Sequence, residues 1–196
     1  QYFTNLREAL NFNPLHDIQI LTPMRKGQLG LENLNKQIQA VYHKSKKPLI
    51  KINQELSFFK GDKVMETQNN YEKMVMNGDT GTLLRIENDN VVIRFDNTEV
   101  EYELEEMKSI QLAYAITIHK SQGSEYPAVI IPISFDHSHM LGRNLIYTAI
   151  TRGRERVIVA GDKKAFQAGL DAQWKDFRYS LLPLEIINFA KQHKII

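Results

Sequence analysis

The hydrophobic residues of this chain follow different periods in different stretches. Residues 18–21, which are apolar except for Gln19, have the composition of a short strand, and a polar loop containing two glycines follows them. Leu31, Leu34, Ile38 and Val41 then recur at the spacing of one face of a helix. The pattern predicts a strand, a loop and an amphipathic helix in that order. A further helix is predicted at the start of the chain, where Leu6 and Leu10 precede the helix-breaking Asn13-Pro14.

From about residue 56 the period changes to that of short strands. Four runs rich in β-branched and aromatic residues are separated by Asn, Asp and Gly, which favour tight turns. The runs are residues 63–67, 82–86, 91–95 and 100–104. Four or five short strands within about 50 residues predict a small antiparallel β-barrel, which is a common way to close so short a sheet.

After residue 110 the pattern alternates between strands and helices. Predicted strands at 112–116, 129–133 and 157–160 alternate with helical segments at 118–122, 144–151 and 163–170. Such alternation indicates a parallel sheet with right-handed crossovers and helices on both faces. We therefore expect an α/β domain interrupted by a β insertion. The expected bounds are 1–55 and 111–170 for the α/β domain, 56–110 for the insertion and 171–196 for a tail with Trp174 and a helix after Pro183.

Composition limits the class of protein. The chain has 196 residues, no cysteine and a net charge of +2, which excludes disulfides and thiolate zinc sites and permits a reducing, cytoplasmic environment. No apolar run is long enough to span a membrane. Residues 61–110 hold 5 basic and 12 acidic residues, a net charge of −7, within an otherwise basic chain. Because residue 1 is Gln, we expect the sequence to be part of a longer or processed protein.

Polar side chains concentrate directly after the predicted strand 112–116. Thr117, His119, Lys120 and Ser121 place hydroxyl, imidazole and ammonium groups on one short arc. Such an arc suits the phosphodiester backbone of a nucleic acid. Taken alone, His119 is more often an ordinary surface or core histidine. A metal site of His119 with His137 and His139 is a much weaker alternative, because no carboxylate completes a recognisable ligand spacing.

A second group of residues suits phosphoryl chemistry. Gln122 and Gly123 allow close backbone approach to a ligand, and Glu125 supplies a carboxylate, although a solvated or capping role is equally open for it. Arg152 follows an apolar-faced helix, from which a guanidinium could stabilise charge on a phosphoryl group. The sequence contains no Gly-x-x-x-x-Gly-Lys-Ser/Thr loop. If ATP is the substrate, another domain must therefore bind its phosphates.

Several stretches together resemble one known family. Residues 114–125 and 145–154 look like motifs V and VI of superfamily 1 DNA helicases, and residues 20–27 are similar to motif IV of the RecD-like branch. The insertion resembles the SH3-like domain of that branch in two places, residues 61–71 and 77–81. The resemblance implies a RecA-like domain, called 2A, with a small SH3-like domain, called 2B, inserted in it.

The resemblance also implies roles for single residues. Thr117 and His119 would contact single-stranded DNA, with Lys120 and Ser121 as weaker candidates. Gln122, Gly123 and Glu125 would face the nucleotide. Arg152 would be the arginine finger that meets the γ-phosphate, with Arg25 as a second finger. Independently of the resemblance, the net charge of −7 indicates that the insertion contacts DNA through few residues, for which Lys63, Asn70 and Tyr71 are the candidates.

The function implied is that of the C-terminal motor half of an ATP-dependent 5′-to-3′ DNA helicase. ATP and Mg²⁺ would bind against an N-terminal RecA-like domain of the same polypeptide, which would hold the Mg²⁺ ligands, so the chain alone should be inactive. One alternative is a non-catalytic module that binds DNA or a protein through a RecA-like remnant and an SH3-like domain. Another keeps the motor but acts on RNA or in a relaxase-linked helicase.

Overall fold

The computed structural model describes residues 12–44, 46–52, 56–138 and 140–172, and the single helical positions Ile187, Phe189 and Lys191. The helix predicted at Leu6 and Leu10 lies outside the described residues, as do Trp174 and most of the predicted tail helix. Within the described part of the chain, no helix has the length and hydropathy that crossing a membrane requires.

Eleven strands and three α-helices make up the described fold. The strands are β1 (Ile18–Thr22), β2 (Ile50–Lys51), β3 (Ser57–Phe58), β4 (Lys63–Glu66), β5 (Thr80–Glu87), β6 (Asn90–Phe95), β7 (Thr98–Tyr102), β8 (Ile110–Leu112), β9 (Ala115–Thr117), β10 (Tyr126–Ile133) and β11 (Gly153–Gly161). The helices are α1 (Leu31–Tyr42), α2 (Arg143–Ile150) and α3 (Lys163–Asp171).

Four strands form a parallel sheet in the order β11-β10-β1-β9. All five residues of β1 are buried, which is usual for a parallel strand covered on both faces. Ile18 and Ile20 of β1 share one hydrophobic cluster with side chains of α1. Leu21, on the opposite face, belongs to the cluster that contains Ile146 of α2 and Ala165 of α3. The predicted α/β domain with helices on both faces is confirmed.

Helix α1 packs through a slightly different face from the one predicted. Leu31, Leu34 and Ile38 are partly buried against the parallel sheet, but Val41 is 69% exposed. Asn35 is buried in its place. At about 100° per residue Asn35 lies about 40° from Leu31 around the helix and Val41 about 80° on the other side, so the buried face, which also includes Gln39 and Tyr42, is turned towards Asn35 and away from Val41. The prediction from spacing that Val41 lies on the buried face of the helix is therefore wrong.

Five strands form the antiparallel sheet of the insertion, in the order β7-β6-β5-β4-β8. Its core contains Val64, Leu83, Ile93 and Tyr102, all fully buried. The predicted SH3-like antiparallel insertion is confirmed. The chain enters it after α1 and returns from β8 to the parallel sheet.

The single strand predicted at 112–116 is two strands in two different sheets. Strand β8 pairs with β4 of the insertion, and β9 pairs with β1 of the parallel sheet. Between them, Ala113 N donates to Lys63 O and Ile20 N donates to Tyr114 O, and buried side-chain amides add further hydrogen bonds. Gln19 Nε2 donates to the carbonyl oxygens of Ala113 and Tyr114 at 3.1 and 3.2 Å. Asn35 Nδ2 donates to Leu112 O at 3.1 Å, and its Oδ1 accepts from Ala115 N at 2.9 Å. Local propensity cannot reveal such a crossing.

Candidate nucleic-acid and nucleotide sites

The candidate residues lie at two opposite edges of the parallel sheet. Thr22 of β1 is in register with Thr117 of β9, so both mark the carboxyl edge. Tyr126 of β10 is in register with Gly153 of β11, and both mark the amino edge. Because a strand rises about 3.3 Å per residue, the two edges are roughly 20 Å apart along β10. Any ligands at the two edges are therefore separate ligands or distant parts of one assembly.

At the carboxyl edge, a 3₁₀ turn (His119–Ser121) follows Thr117. His119 and Lys120 are exposed, and the Lys120 N–H donates to Thr117 Oγ1 at 3.4 Å. Ser121 is fully buried, and its Oγ donates to Ile118 O at 2.7 Å. The turn thus presents His119 and Lys120 outward, whereas the Ser121 hydroxyl holds the turn together.

A cleft of about 320 Å³ opens beside this turn, between the α/β domain and the insertion. Arg25, Thr117 and Lys120 line it from the α/β domain. The antiparallel sheet and its loops contribute Thr67, Asn77 and Gln111. Burial lowers the pKa of Lys120, and the neighbouring positive charge of Arg25 lowers it further. The cleft lining, as far as the structure describes the chain, contains no carboxylate, so two cations face it without a balancing acid. Such a site suits an anion.

At the amino edge, Arg152 is held by oxygen atoms from two segments. Its Nη1 donates to Ser124 O at 3.1 Å, its Nε to Thr148 O at 3.2 Å and its Nη2 to Thr151 Oγ1 at 3.2 Å. All three acceptors that it has in the described chain are neutral. The Tyr126 N–H in turn donates to Arg152 O at 2.8 Å. A half-buried guanidinium with neutral partners keeps its full charge available for an incoming anion.

The loop before β10 lies against this arginine through Ser124. Gln122, Gly123 and Glu125 are exposed, and Gly123 has a φ of +86° with open space where a Cβ would stand. The structure thus places the segment 122–125 beside Arg152. Burial raises the pKa of Tyr126 beside them, partly offset by a hydrogen bond with Ser124 and by the Arg152 charge.

Arg25, expected from the resemblance to be a second finger, is not placed with Arg152. It is exposed and follows the carboxyl end of β1, on the side of Thr117 and Lys120. Arg152 precedes β11 at the amino edge. In this structure the two arginines therefore lie at different edges of the sheet.

The insertion candidates differ strongly in accessibility. Tyr71 is 74% exposed at the loop between β4 and β5, where Asn70 forms a β-bridge with Val75. Lys63, by contrast, is buried under the α/β domain with its Nζ donating to Ile18 O at 3.3 Å. Lys63 therefore joins the two domains and does not present its amine to a surface ligand.

The histidines proposed for the metal alternative are not equivalent. His119 is exposed, while His137 is buried and its Nδ1 accepts from Ser134 N at 3.4 Å. His139 lies outside the described residues. Among the residues that are described, no group of three His, Asp or Glu side chains could hold a metal ion.

Sequence reasoning missed the insertion wall of the cleft. Thr67, Asn77 and Gln111 read as ordinary strand and turn residues. They reach the cleft because β4 lies between β5 and β8 in the sheet and next to the carboxyl edge. No local signal marks them, since only the pairing of distant strands places them together.

Comparisons with known proteins agree with this architecture. The family described as the UvrD-like helicase C-terminal domain matches residues 112–160, and the ATP-dependent RecD-like DNA helicase SH3 domain matches residues 34–96. The first match contains candidate residues at both edges of the sheet, and the second contains most of α1 and much of the insertion.

Among curated proteins, the chain is similar to the ATP-dependent RecD2 DNA helicase of Deinococcus radiodurans. The two are 39% identical over 150 residues, which is 76% of this chain and 21% of the relative. The RecBCD enzyme subunit RecD of Haemophilus influenzae is 30% identical over 79% of this chain and 23% of that subunit. The chain thus spans between a fifth and a quarter of the length of these relatives.

Among solved structures, Bacteroides Pif1 bound to single-stranded DNA has a similar fold. The TM-score is 0.53 at 19% identity, covering 90% of this chain and 45% of that one. The match at 34–96 runs from α1 into the insertion, and the match at 112–160 runs from the end of β8 through the parallel sheet, which fits the order of the sheets along the chain. The chain belongs to the RecD-like branch of the superfamily 1 helicases, and carries their UvrD-like C-terminal domain with the SH3 domain inserted in it.

Proposed function

We propose that this chain is the C-terminal motor half of an ATP-dependent DNA helicase that moves 5′-to-3′ along single-stranded DNA. The observation that carries the proposal is the placement of unbalanced cations at two opposite edges of one sheet. The carboxyl edge, with Arg25 and Lys120, would hold the DNA backbone, and the amino edge, with Arg152, would meet ATP. In this proposal residues 1–55 and 111–170 form the RecA-like domain 2A, 56–110 form domain 2B and 171–196 are a tail.

At the carboxyl edge, Thr117, His119 and Lys120 are the proposed contacts to DNA phosphates. Thr117 and Lys120 line the cleft, and His119 stands exposed on the same turn. These groups contact the backbone and not the base edges, so the grip would be independent of base sequence. The buried Ser121 hydroxyl supports the turn and is not a proposed contact.

The exposed loop between β4 and β5 of the insertion is proposed to continue the DNA-binding surface beyond the cleft. Asn77 lines the cleft, and its N–H is held by Asn69 Oδ1 at 2.9 Å. Asn69 Nδ2 donates to Tyr71 Oη at 3.3 Å, so Tyr71 stands near the rim. We propose that Asn70 and Tyr71 meet a base there, where an aromatic face would stack without sequence preference. Unchanged affinity of Tyr71→Ala for single-stranded DNA would remove them from the site.

At the amino edge, Arg152 is the proposed arginine finger, and Gln122, Gly123 and Glu125 are the proposed nucleotide-facing residues. The guanidinium can stabilise the negative charge that develops on a transferred phosphoryl group. ATP fits this edge because the Arg152 charge is unpaired by acids in the described chain and the loop at Gly123 is open. The described residues provide no carboxylate cluster for Mg²⁺. The metal ligands and the phosphate-binding loop would come from an N-terminal RecA-like domain, and the chain alone would be inactive.

The decisive experiment compares two histidines at opposite ends of the same sheet. In the protein that includes the ATP-binding domain, His119→Ala should weaken single-strand binding and reduce the stimulation of ATP hydrolysis by DNA. His16→Ala is the matched control, because His16 is also exposed but precedes β1. ATP turnover and fluorescence anisotropy with a labelled oligonucleotide measure both effects.

Two results would contradict the proposal. Equal effects of the two substitutions would show that His119 has no special contact with DNA. If the parent protein hydrolyses no ATP in the presence of single-stranded DNA, the motor is excluded and a non-catalytic binding module becomes the correct reading. A preference for RNA over DNA in the same assay would replace the substrate and keep the motor.

A further inference from the structure

A buried carboxylate connects the insertion to the α/β domain. Asp62, fully buried at the start of β4, accepts on Oδ1 from Tyr114 Oη at 2.6 Å, and His43 Nε2 lies 2.7 Å from the same oxygen. On Oδ2 it accepts from Gln39 Nε2 at 2.7 Å and from Phe59 N at 2.8 Å. Four close donors satisfy the charge of a carboxylate that water does not reach.

The partners of Asp62 lie on both crossings between the two domains. Gln39 belongs to α1, and His43 caps that helix at its C-terminal end, where the chain leaves for the insertion. Tyr114 lies between β8 and β9, where the chain returns. Thr117, a proposed DNA contact, is only three residues further along β9. Asp62 therefore ties the insertion to the strand that carries the carboxyl edge.

Tyr114 and His43 can both donate a hydrogen bond to Asp62, so the contact has a consistent set of donors and acceptors. Burial raises the pKa of Tyr114, and the Asp62 charge raises it further, so the hydroxyl stays protonated and donates. Because an ionised carboxylate only accepts, His43 Nε2 must carry the hydrogen between them. The buried Nδ1 of His43 has no hydrogen-bond partner in the described chain, and its ring stacks on Phe59 at 4.8 Å. His43 thus has its polar anchor at Asp62 and Tyr114.

A second buried tyrosine–carboxylate pair lies wholly inside the insertion. It provides a control for a loss of stability that does not change the position of the insertion. Tyr102, also fully buried, donates from its Oη to Glu66 Oε2 at 3.1 Å. Both of these residues belong to the antiparallel sheet. Loss of either tyrosine hydroxyl leaves a buried carboxylate with one donor fewer. Only the loss at Tyr114 affects a contact between the domains.

We propose that Asp62 and Tyr114 are positioning residues that fix the insertion against strand β9 and so set the width of the cleft between Thr117 and Asn77. The inference rests on the proposed function in one respect, that single-stranded nucleic acid occupies this cleft. The hydrogen bond itself and its effect on domain geometry do not depend on that function.

The first measurement is a distance between the domains. The chain has no cysteine, so spin labels can be placed through Gln37→Cys on α1 and Asn97→Cys in the β6–β7 turn, both exposed. Tyr114→Phe should broaden or shift the distance distribution, and Tyr102→Phe should leave it unchanged at a comparable loss of stability. Gln39→Met, which removes one donor from Oδ2, should act in the same direction as Tyr114→Phe and provides a second variant if that one fails to fold.

The second measurement is the DNA dependence of ATP turnover in the protein with its ATP-binding domain. Tyr114→Phe should raise the DNA concentration for half-maximal turnover on the order of fivefold, as expected if part of a charge-assisted hydrogen bond is transmitted to the cleft. Maximal turnover should stay near the parent value, because the Arg152 edge is untouched. Tyr102→Phe should change neither constant.

The two measurements separate the two proposals. Equal broadening with Tyr102→Phe, or an unchanged distance in folded Tyr114→Phe and Gln39→Met, would overturn the positioning role. A broadened distance with an unchanged DNA constant would overturn its link to the cleft. Absence of DNA stimulation in the parent would instead reject the proposed function, while the distance measurement would still decide whether Asp62 and Tyr114 hold the domains.

Discussion

Two cations of the insertion are paired with acids, whereas the cations described at the strand ends of the α/β domain are not. In the insertion, Arg85 pairs with Glu87 and Glu99 at 2.8 Å each, and Lys73 lies 3.1 Å from Glu106. In the α/β domain, Arg25, Lys120 and Arg152 have no acidic partner among the described residues. Arg152 donates to neutral oxygens, and the positive charge of Arg25 helps to lower the pKa of Lys120.

Burial of the two sheets explains where these charges can stand. Strand β1 is buried throughout and is covered on both faces, so only the ends of the parallel strands are open to a ligand. Strand β5 alternates between buried and accessible positions in its first half, and β7 is mostly exposed, so the insertion has a solvated face. Exposed pairs there contribute little stability and need no ligand. Unpaired cations at strand ends are therefore the better guide to binding sites in this molecule.

The largest expected effect concerns the cation at the amino edge. In the protein with its ATP-binding domain, Arg152→Ala should lower DNA-stimulated ATP turnover by on the order of 10³-fold, because charge on the transferred phosphoryl group loses its stabilising guanidinium. Affinity for single-stranded DNA should change less than about twofold, since the carboxyl edge is roughly 20 Å away. Arg154→Ala is the control, because Arg154 is exposed on β11 two residues later. Near-normal turnover of Arg152→Ala would refute the finger assignment.

Much of this architecture could be predicted because it depends on local pattern. The β1 run, the short strands of the insertion and the helices after residue 140 all follow from periodicity and turn residues. The segment 112–116 could not be placed correctly, because an apolar run does not show which of two sheets each half joins. The two halves pair with different distant strands, and Gln19 and Asn35 add side-chain hydrogen bonds to the crossing from distant positions.

The candidate site was predictable to the same extent. Thr117, His119 and Lys120 lie on one turn, so their proximity follows from sequence alone. The position of Arg25 at the carboxyl edge depends on the direction of the strands in the folded sheet. A motif resemblance does not give that direction. Burial of Ser121 and Lys63 depends on packing between domains. The types of polar residue therefore indicated what kind of site to expect. They did not show which of the side chains are exposed at that site.

The second prediction tests Lys63, a cation of the insertion that is buried under the α/β domain. Burial lowers the pKa of Lys63 from 10.5 to about 8, with Asp17 partly opposing the shift. Between these pH values the unfolded chain binds more protons than the folded chain, so stability should rise with pH by up to about 3 kcal/mol. Below pH 8 both states are protonated and the cost of the buried charge is fully present.

Lys63→Met should remove this cost. At pH 7 the substitution should stabilise the chain by about 1 to 3 kcal/mol, after allowance for the lost bond to Ile18 O, and the gain should disappear towards pH 10.5. Urea denaturation at pH 7 and pH 9.5 measures both values. Lys60→Met, at an exposed lysine three residues earlier, is the control and should show no such dependence. A gain that stays constant with pH would show that packing, and not the buried charge, is responsible.

The smallest expected effect is that of Arg25→Ala, which tests whether Arg25 contacts DNA at the carboxyl edge or acts with Arg152 on ATP. Arg25→Ala should weaken single-strand binding by about tenfold and reduce the slope of log affinity against log salt by about 0.7, the value for one phosphate contact on a single strand. The loss should be uniform across oligo-dT and mixed sequences, because a phosphate contact carries no base information. Turnover at saturating DNA should remain near the parent value if Arg25 is remote from ATP.

Lys26 provides the matched control for this test. It is the next residue, is equally exposed and carries the same charge, but it does not line the cleft. Lys26→Ala should therefore leave both the affinity and the salt slope close to those of the parent. If the two substitutions weaken binding equally, a diffuse positive field accounts for the effect and the cleft contact is wrong. If Arg25→Ala instead abolishes turnover at saturating DNA, Arg25 acts with Arg152, and unpaired cations at opposite edges do not mark separate ligands.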